Sequence, residues 1–387
     1  MKIRNIRGVD KSNGVSHIEA FIDDEPLWFS SENTKLTPAT EVFASALLIP
    51  AFLKGEDIEF DQALDEKWLE NSKIIQSAIM EWWGLPKINV LADSCKKETS
   101  NGETKTAQFF TGGVDSYYEL ISNKTKPDYL VYVLGFDIKL SDLLRFNEYQ
   151  HGLNKTASYY NCTPIIVKTN YRTHHFLRDT PWKYTHGGAL AAVGHSLSLS
   201  ASKIVIPSSY SYQSAVPWGS HWALDPLWSS NNLQIEHADA SKNRFGKLGI
   251  IADHDLVKKY LRVCWENQSP TGNCSRCEKC VRNMIMLEYL GELSTNKSFD
   301  LSIPLSTRIS QLPFAPPYII YVYEGFLLKI RDPLIYKEIV RLIRRSKRRS
   351  HIISLKMKMK IFKKKLKRAK KKLKSLFKSK SGIKALQ

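Results

Sequence analysis

Between Thr106 and Ser209 the sequence alternates short apolar runs with helix-like segments, and this alternation constrains the fold more than any other feature. TAQFF (106–110), YLVYVLGF (129–136), TPIIVKT (163–169) and KIVIPSS (203–209) have the length and side chains of buried strands. Between them stand the helix-like SYYELIS and GGALAAVGHSLSLSA. Such alternation predicts an α/β domain over 106–260, with a doubly wound, mainly parallel sheet and helices on both faces. Ligands bind sheets of this kind at the carboxyl ends of the strands.

Residues 1–100 read as a separate α+β domain. SHIEAFI and LWFS flank the turn-forming Asp23-Asp24-Glu25-Pro26, a hairpin pattern. One helix is expected near Ala39 to Leu53, stopped by Gly55, and another over about Glu66 to Trp83, ended by Gly84 and Pro86. Trp82 and Trp83 are assigned to the core, and CKKETSNGETK (95–105) to a surface loop. Beyond the α/β unit, residues 261–295 form a cysteine-bearing region with its helix, and 296–340 a helical or irregular segment.

Charge divides the chain again. Of the 57 Lys and Arg, 21 lie in residues 341–387, and no acidic residue follows Glu338. The remaining 36 basic residues face 38 acidic ones, so the body is close to neutral. The net charge of +19 therefore belongs to a tail and gives the body no nucleic-acid-binding character. In that tail Leu355, Met359, Phe362, Leu366, Ala369, Leu373 and Leu376 recur at spacings of four and three, an amphipathic helical stripe set in lysine. An anionic membrane surface, RNA, or no partner at all is compatible with such a segment. No window approaches the roughly 18 apolar residues of a membrane span, and the N-terminus lacks the apolar stretch of a secretory signal. The body is expected to be cytoplasmic, held to a membrane periphery if the tail binds one.

Phe110-Thr111-Gly112-Gly113-Val114-Asp115-Ser116 joins the first strand of the α/β unit to its first helix. Glycines without side chains let successive backbone N–H groups turn inward, and the positive end of the following helix adds to them. The result is an anion nest suited to a phosphate chain, with hydroxyls from Thr111 and Ser116. Asp115 is placed either to cap the helix or to help hold Mg²⁺. A tight turn with an Asp or Ser N-cap would use the same residues; the position after a buried strand favours nucleotide binding. The lysine of the Walker-type loop is missing.

TGGVDS is similar to the SGGxDS loop of the PP-loop ATP pyrophosphatases, with Thr111 in place of the first serine. The resemblance implies an adenine nucleotide α-hydrolase-like fold that cleaves ATP between its α- and β-phosphates. Members adenylate a carbonyl oxygen, release pyrophosphate, and let a nitrogen or sulfur nucleophile displace AMP. Thr111, Gly112, Gly113, Val114, Asp115 and Ser116 would then bind the nucleotide. VLGFDIKL (133–140), with Phe136, occupies the place of the segment near the adenine.

Cys264, Cys274, Cys277 and Cys280 are spaced C-x9-C-x2-C-x2-C. Gaps of two let neighbouring thiolates share a centre, and four sulfurs suit a closed structural Zn²⁺ site; an iron–sulfur cluster is the competing assignment. Cys95 and Cys162 stand outside the pattern and read as ordinary thiols. The cluster resembles the zinc site of 7-cyano-7-deazaguanine synthases, with one extra residue in the first loop, and the likeness covers roughly residues 106–290. Two departures stand out. The family's Pro-Gly-Arg before the central helix is here Thr185-His186-Gly187-Gly188. Its substrate loop is replaced by the Trp-rich IPSSYSYQSAVPWGSHWALDP (206–226).

His186 and His221 fall where a substrate pocket opens, and each has a side chain fit for proton transfer near neutral pH. Asp137 and Asp225, at strand ends, are candidates for ribose or substrate, while Arg276 and Lys279 read as solvated. The candidate catalytic residues are Asp115, Ser116 and His221. The expected activity is an ATP-, Mg²⁺- and Zn²⁺-dependent ligase joining ammonia to a small carboxylate or amide. Alternatives are the same chemistry on a sugar or another small molecule, a tRNA-modifying enzyme, or a zinc-containing nucleotide-binding adaptor. Oligomerisation is left open.

Overall fold

The structure, a computed structural model, describes residues 1–10, 14–96 and 104–381; the side chain of Asp10, and those beyond Lys356 apart from Met359, lie outside the description. Of the loop expected over 95–105, residues 97–103 are not covered, and Cys95 at its start belongs to a strand; the side chains of the tail stripe from Phe362 onward are likewise not covered.

The strands are β1 (Lys2–Asp10), β2 (Ser16–Ile22), β3 (Glu25–Ser31), β4 (Ile58–Phe60), β5 (Leu64–Asp65), β6 (Val90–Leu91), β7 (Ser94–Cys95), β8 (Thr106–Phe109), β9 (Tyr129–Leu134), β10 (Thr163–Thr169), β11 (Lys203–Ile206) and β12 (Gln234–His237). Eleven α-helices are found among the described residues. They are α1 (Thr40–Lys54), α2 (Glu66–Trp83), α3 (Val114–Ser122), α4 (Leu143–Tyr159), α5 (Trp182–Ser196), α6 (Arg244–Ile251), α7 (Asp255–Tyr260), α8 (Glu278–Tyr289), α9 (Leu305–Gln311), α10 (Ile320–Leu327) and α11 (Pro333–Ser381).

Ten strands form one sheet in the order β12-β11-β8-β9-β10-β3-β2-β1-β4-β6, and β5 pairs with β7 apart from it. From β12 to β10 every pairing is parallel, as the strand–helix alternation predicts. The chain starts this half at β8, steps outward to β9 and β10, then returns past β8 to β11 and β12. Strand order thus reverses between β8 and β11, which makes the carboxyl end of β8 a topological switch point. Right-handed crossovers across such a reversal send the helices to opposite faces. The packing agrees, with α3 against α6 and α5 against α1.

The N-terminal residues, expected as a separate domain, instead extend this sheet. Antiparallel pairing of β10 with β3 brings in β2 and β1, and α1 is buried along nearly its whole length beside α5. The physical reason is edge pairing: β10 ends the parallel set with unpaired backbone groups, and the hairpin β2–β3 satisfies them. The hairpin turns at Asp23 with φ 55°, and Gly55 and Gly84 end their helices in the left-handed conformation. Those features match the sequence reading.

Two compact units result: Met1–Cys274 with Met286–Asp300, and Ser275–Ile285 with Leu301 onward. Neither the division expected near residue 100 nor the one near 340 coincides with them, and α11 runs through the expected 340/341 boundary. Within the second unit α11 packs on α9 and α10, burying Ile335, Ile339, Leu342 and Ile343. Ser346 donates to Leu342 O and accepts the Ala315 N–H at 2.8 Å.

Candidate functional site

The loop after β8 turns at Gly112, whose φ of 69° puts it in the left-handed region. Gly113 is extended (φ −82°, ψ 171°) and is the N-cap of α3. Of the two glycines, only Gly112 uses the positive-φ freedom of its residue type. Gly112 lies close to Arg262 Cβ, Tyr149 Cε2 and Tyr260 O, each 3.6 Å from where a Cβ would stand. Arg262 N–H donates to Gly112 O at 2.7 Å, and Tyr149 Oη donates to Phe110 O at 2.6 Å. Ser116 is buried; its Oγ donates to Gly113 O at 3.1 Å and accepts the Thr111 N–H at 3.4 Å. That hydroxyl braces the loop from within, while Thr111 is exposed at the crest.

Asp115, in the first turn of α3, forms an ion pair with Arg244, and Lys247 Nζ stands 3.9 Å from its other carboxylate oxygen. Arg244 and Lys247 lie one turn apart at the start of α6, which Asn243 caps by accepting the Gly246 N–H at 2.9 Å. The Lys247 side chain is 1% exposed. Its ammonium donates to Ser208 O and Oγ, at the carboxyl end of β11, at 2.5 and 2.6 Å. Burial lowers the Lys247 pKa, and the Asp115 carboxylate counters it. The switch point thus gathers a helix N-terminus and two cations around a single carboxylate, an excess of positive potential that suits a polyanion. Arg244, Lys247 and Arg262 did not emerge from the sequence as site residues. A detectable signal was the Asn-capped start N-R-F-G-K, which sets two basic residues on one helical face.

An aromatic wall lies beyond the ends of β9 and β10. Phe136 packs against Trp182 at 4.9 Å and Tyr171 at 5.8 Å between ring centroids. His186 meets Trp182 and Trp218, and Trp218 meets Tyr210. His186 donates from Nδ1 to Trp182 O at 3.0 Å, and burial lowers its pKa. It does not precede a helix: α5 starts at Trp182, so His186, Gly187 and Gly188 lie inside it. These glycines serve packing. A Cβ on Gly187 would fall 1.9 Å from Gly219 O, and one on Gly188 2.5 Å from Ser45 O. Where the resembling family has an arginine, this chain has a seam between α5, α1 and the Trp-rich loop.

His221 belongs to a separate cluster from the phosphate-type loop. Its Nδ1 accepts the Ala223 N–H at 3.0 Å, which places the neutral ring's hydrogen on Nε2. Burial, then neighbouring His237, lowers its pKa. Trp82 packs against it at 4.8 Å, and Trp83 against Tyr184 at 4.4 Å, so this pair sits at the edge of the core and touches the Trp-rich loop. Fully buried Asp225 accepts from Ser220 Oγ at 2.7 Å and the His221 N–H at 3.2 Å, and pairs with His237 Nδ1 at 2.7 Å. Asp225 organises this loop, whereas Asp137 is exposed at its strand end.

The four sulfurs of Cys264, Cys274, Cys277 and Cys280 lie within 4.8 Å of one another, and all four residues are buried. This cluster could bind a metal ion. Four thiolates around tetrahedral Zn²⁺ stand about 3.8 Å apart, given Zn–S distances near 2.3 Å, so spacing and donor set fit. The Cys280 N–H points at Cys277 Sγ at 3.5 Å. Asn273 holds the first segment of the site: its Oδ1 accepts Val263 and Cys264 N–H at 2.8 and 3.0 Å, and its Nδ2 donates to Leu261 O at 2.7 Å. Arg262, which closes on Gly112, is two residues from Cys264. The segment that bonds to Gly112 therefore leads directly into the cysteine cluster. Of the remaining thiols, Cys162 is buried, and that burial raises its pKa to about 11.

Glu25, His174 and His175 also lie close enough together to suggest a metal site. Both ring nitrogens of His174 are engaged with backbone, Nδ1 accepting the Phe176 N–H and Nε2 donating to Glu25 O. That leaves no ligand atom on the buried member. No helix among the described residues is long and apolar enough to cross a membrane. Comparison with family models, with curated proteins and with solved structures finds no match to this chain.

Proposed function

We propose that the chain is a PP-loop-type, adenylate-forming ligase with an adenine nucleotide α-hydrolase-like doubly wound core. The supporting observation is the placement of the TGGVDS loop at the topological switch point, opening α3, with Arg244 and Lys247 beside Asp115. In this reading the loop N–H groups, Lys247 and Arg244 take the pyrophosphate end of ATP, and Asp115 holds Mg²⁺ next to it. A carboxylate oxygen of the acceptor attacks the α-phosphorus, the bond to the β-phosphate oxygen breaks, and pyrophosphate leaves. Ammonia then attacks the acyl carbon, AMP departs with the bonding electrons, and the surplus proton goes to solvent, since the Nδ1 lone pair of His221 is already taken by the Ala223 N–H. The cysteine cluster would hold Zn²⁺ as a brace for the segment around Cys264, outside the reaction.

The acceptor is a small carboxylate or amide lying against Phe136, Trp182 and Trp218. A second reading keeps the ATP chemistry and makes the acceptor a sugar, which the aromatic wall favours because sugar faces stack on such rings. Calorimetric titration with ATP·Mg²⁺ and a pyrophosphate-release assay across both acceptor classes test the proposal. Lys247→Met is expected to weaken ATP binding at least tenfold, about 1.4 kcal/mol. No ATP binding by the wild type, or unchanged binding in both Lys247→Met and Gly113→Val, would refute it.

A further inference from the structure

The helix α11 carries two apolar stripes on different faces. The first, at positions 335, 339, 342 and 343, packs within its own unit. The second runs through 355, 359, 362, 366, 369, 373 and 376. At 3.6 residues per turn their centres stand roughly 170° apart around one continuous helix. The second stripe therefore cannot extend the packing of the first, and it begins where the buried positions end. Its described members, Leu355 and Met359, are 47% and 57% exposed. On the same face, nearer the start of the helix, register places Lys337, Arg341, Arg344 and Arg348.

The same unit exposes further apolar groups. In and around α10, Ile320, Tyr323 and Phe326 are buried, while Tyr318, Tyr321 and Leu328 face out, Leu328 at 89% exposure. Tyrosine and leucine beside lysine and arginine form the composition that settles at a lipid–water boundary, the rings and aliphatic stems in the acyl region and the charges among headgroups.

We infer that this unit docks on an anionic membrane surface, with the 355–376 stripe of α11 lying in the plane of the headgroups. Charge selects the partner: 21 basic and no acidic residues in 341–387 demand a polyanion. The stripe decides which one. A nucleic-acid backbone needs only the charges and would leave seven apolar positions in water, whereas a lipid surface takes both. Self-pairing through the stripe would set lysines against lysines with no acidic partner beside the seam.

The test is flotation of the full chain with phosphatidylcholine vesicles containing about a third phosphatidylserine, beside a Leu366→Asp/Leu373→Asp variant that keeps every basic residue. The wild type is expected to float with the anionic vesicles and only weakly with pure phosphatidylcholine. The variant is expected to lose at least tenfold in affinity, with metal content and thermal melting of the body unchanged. Raising salt to 0.5 M, roughly a 4 Å screening length, should weaken wild-type binding without abolishing it. Three results would overturn the inference: no flotation at low salt, equal flotation of the variant, or release of the protein from vesicles by RNA in preference to lipid. A dimer in sedimentation that the variant dissolves would likewise assign the stripe to self-association.

Discussion

Replacing Gly187 by alanine tests the seam between α5 and the Trp-rich loop. The new Cβ would lie 1.9 Å from Gly219 O, 2.7 Å from Gly219 C and 3.2 Å from Ser220 Cα, all backbone atoms with no flexible side chain to yield. The loop must withdraw by more than 1 Å to restore even a 3.0 Å contact. It cannot withdraw toward Tyr184, because Gly219 is itself pressed there, its own Cβ position 2.4 Å from Tyr184 O. Withdrawal stretches the Gly219 N–H bond to Lys183 O (2.9 Å) and the two bonds that Ser220 and His221 give to buried Asp225. Overpacking costs about 1–3 kcal/mol, and a weakened hydrogen bond to a buried carboxylate about 1.5–3 kcal/mol, so the expected loss is about 3–5 kcal/mol. For a unit of this size that lowers the melting temperature by roughly 6–20 °C, read by calorimetry. Gly249→Ala on α6 is the internal control. Its Cβ would meet only Leu290 Cδ2 at an ordinary 3.7 Å, and the gain in helix propensity should stabilise by about 0.5–1 kcal/mol. A Gly187→Ala melting shift under about 2 °C, or equal shifts in the two variants, would refute the close approach.

Two further outcomes follow from the same geometry. Stripping metal from the four-cysteine cluster should loosen the phosphate-type loop, because Arg262 N–H holds Gly112 O only two residues before Cys264; hydrogen exchange should speed up at the Arg262 amide but not at the Phe110 amide, which bonds across the sheet to Val131 O. Acidification should destabilise the first unit. Burial lowers the pKa values of His174, His186, His221 and His254 below 6.5, so below that pH the unfolded chain binds more protons than the folded one. Stability present above pH 6.5 is then lost as pH falls toward the folded values. Denaturation midpoints between pH 7.5 and 5 check this, and a flat profile would contradict the burial of these rings.

The cysteine cluster and the Gly-Gly loop were legible because their signals are local. Gly112-Gly113 between a strand and a helix can be read without knowing what surrounds it. Two-residue cysteine gaps likewise announce a shared centre. The helix ends at Gly55 and Gly84 were fixed by the one residue type that adopts the left-handed conformation at little cost. What the sequence hid depends on partners far along the chain. Lys247 reads as a surface cation until Ser208 and Asp115 are brought to it, 39 and 132 positions away. Asp225 reads as a ligand candidate until Ser220, His221 and His237 are seen to use its oxygens. The glycines of the T-H-G-G stretch looked like a helix start because glycine is a poor helix former; close backbone contact at the seam outweighs that propensity.

The sequence by itself determined a parallel α/β core, a Gly-Gly loop after its first strand, a four-cysteine cluster and a lysine-rich tail with apolar residues at helical spacing. Those follow from alternation, spacing and charge, which are properties of neighbours in the chain. The tertiary structure decided that the N-terminal hairpin belongs to the same sheet, since an open strand edge takes whichever partner can satisfy its backbone. It also decided that the loop lies at the strand-order reversal beside two buried or half-buried cations. And it left Leu355 and Met359 exposed beyond the buried stretch of their own helix, because burial stops where the neighbouring helices end.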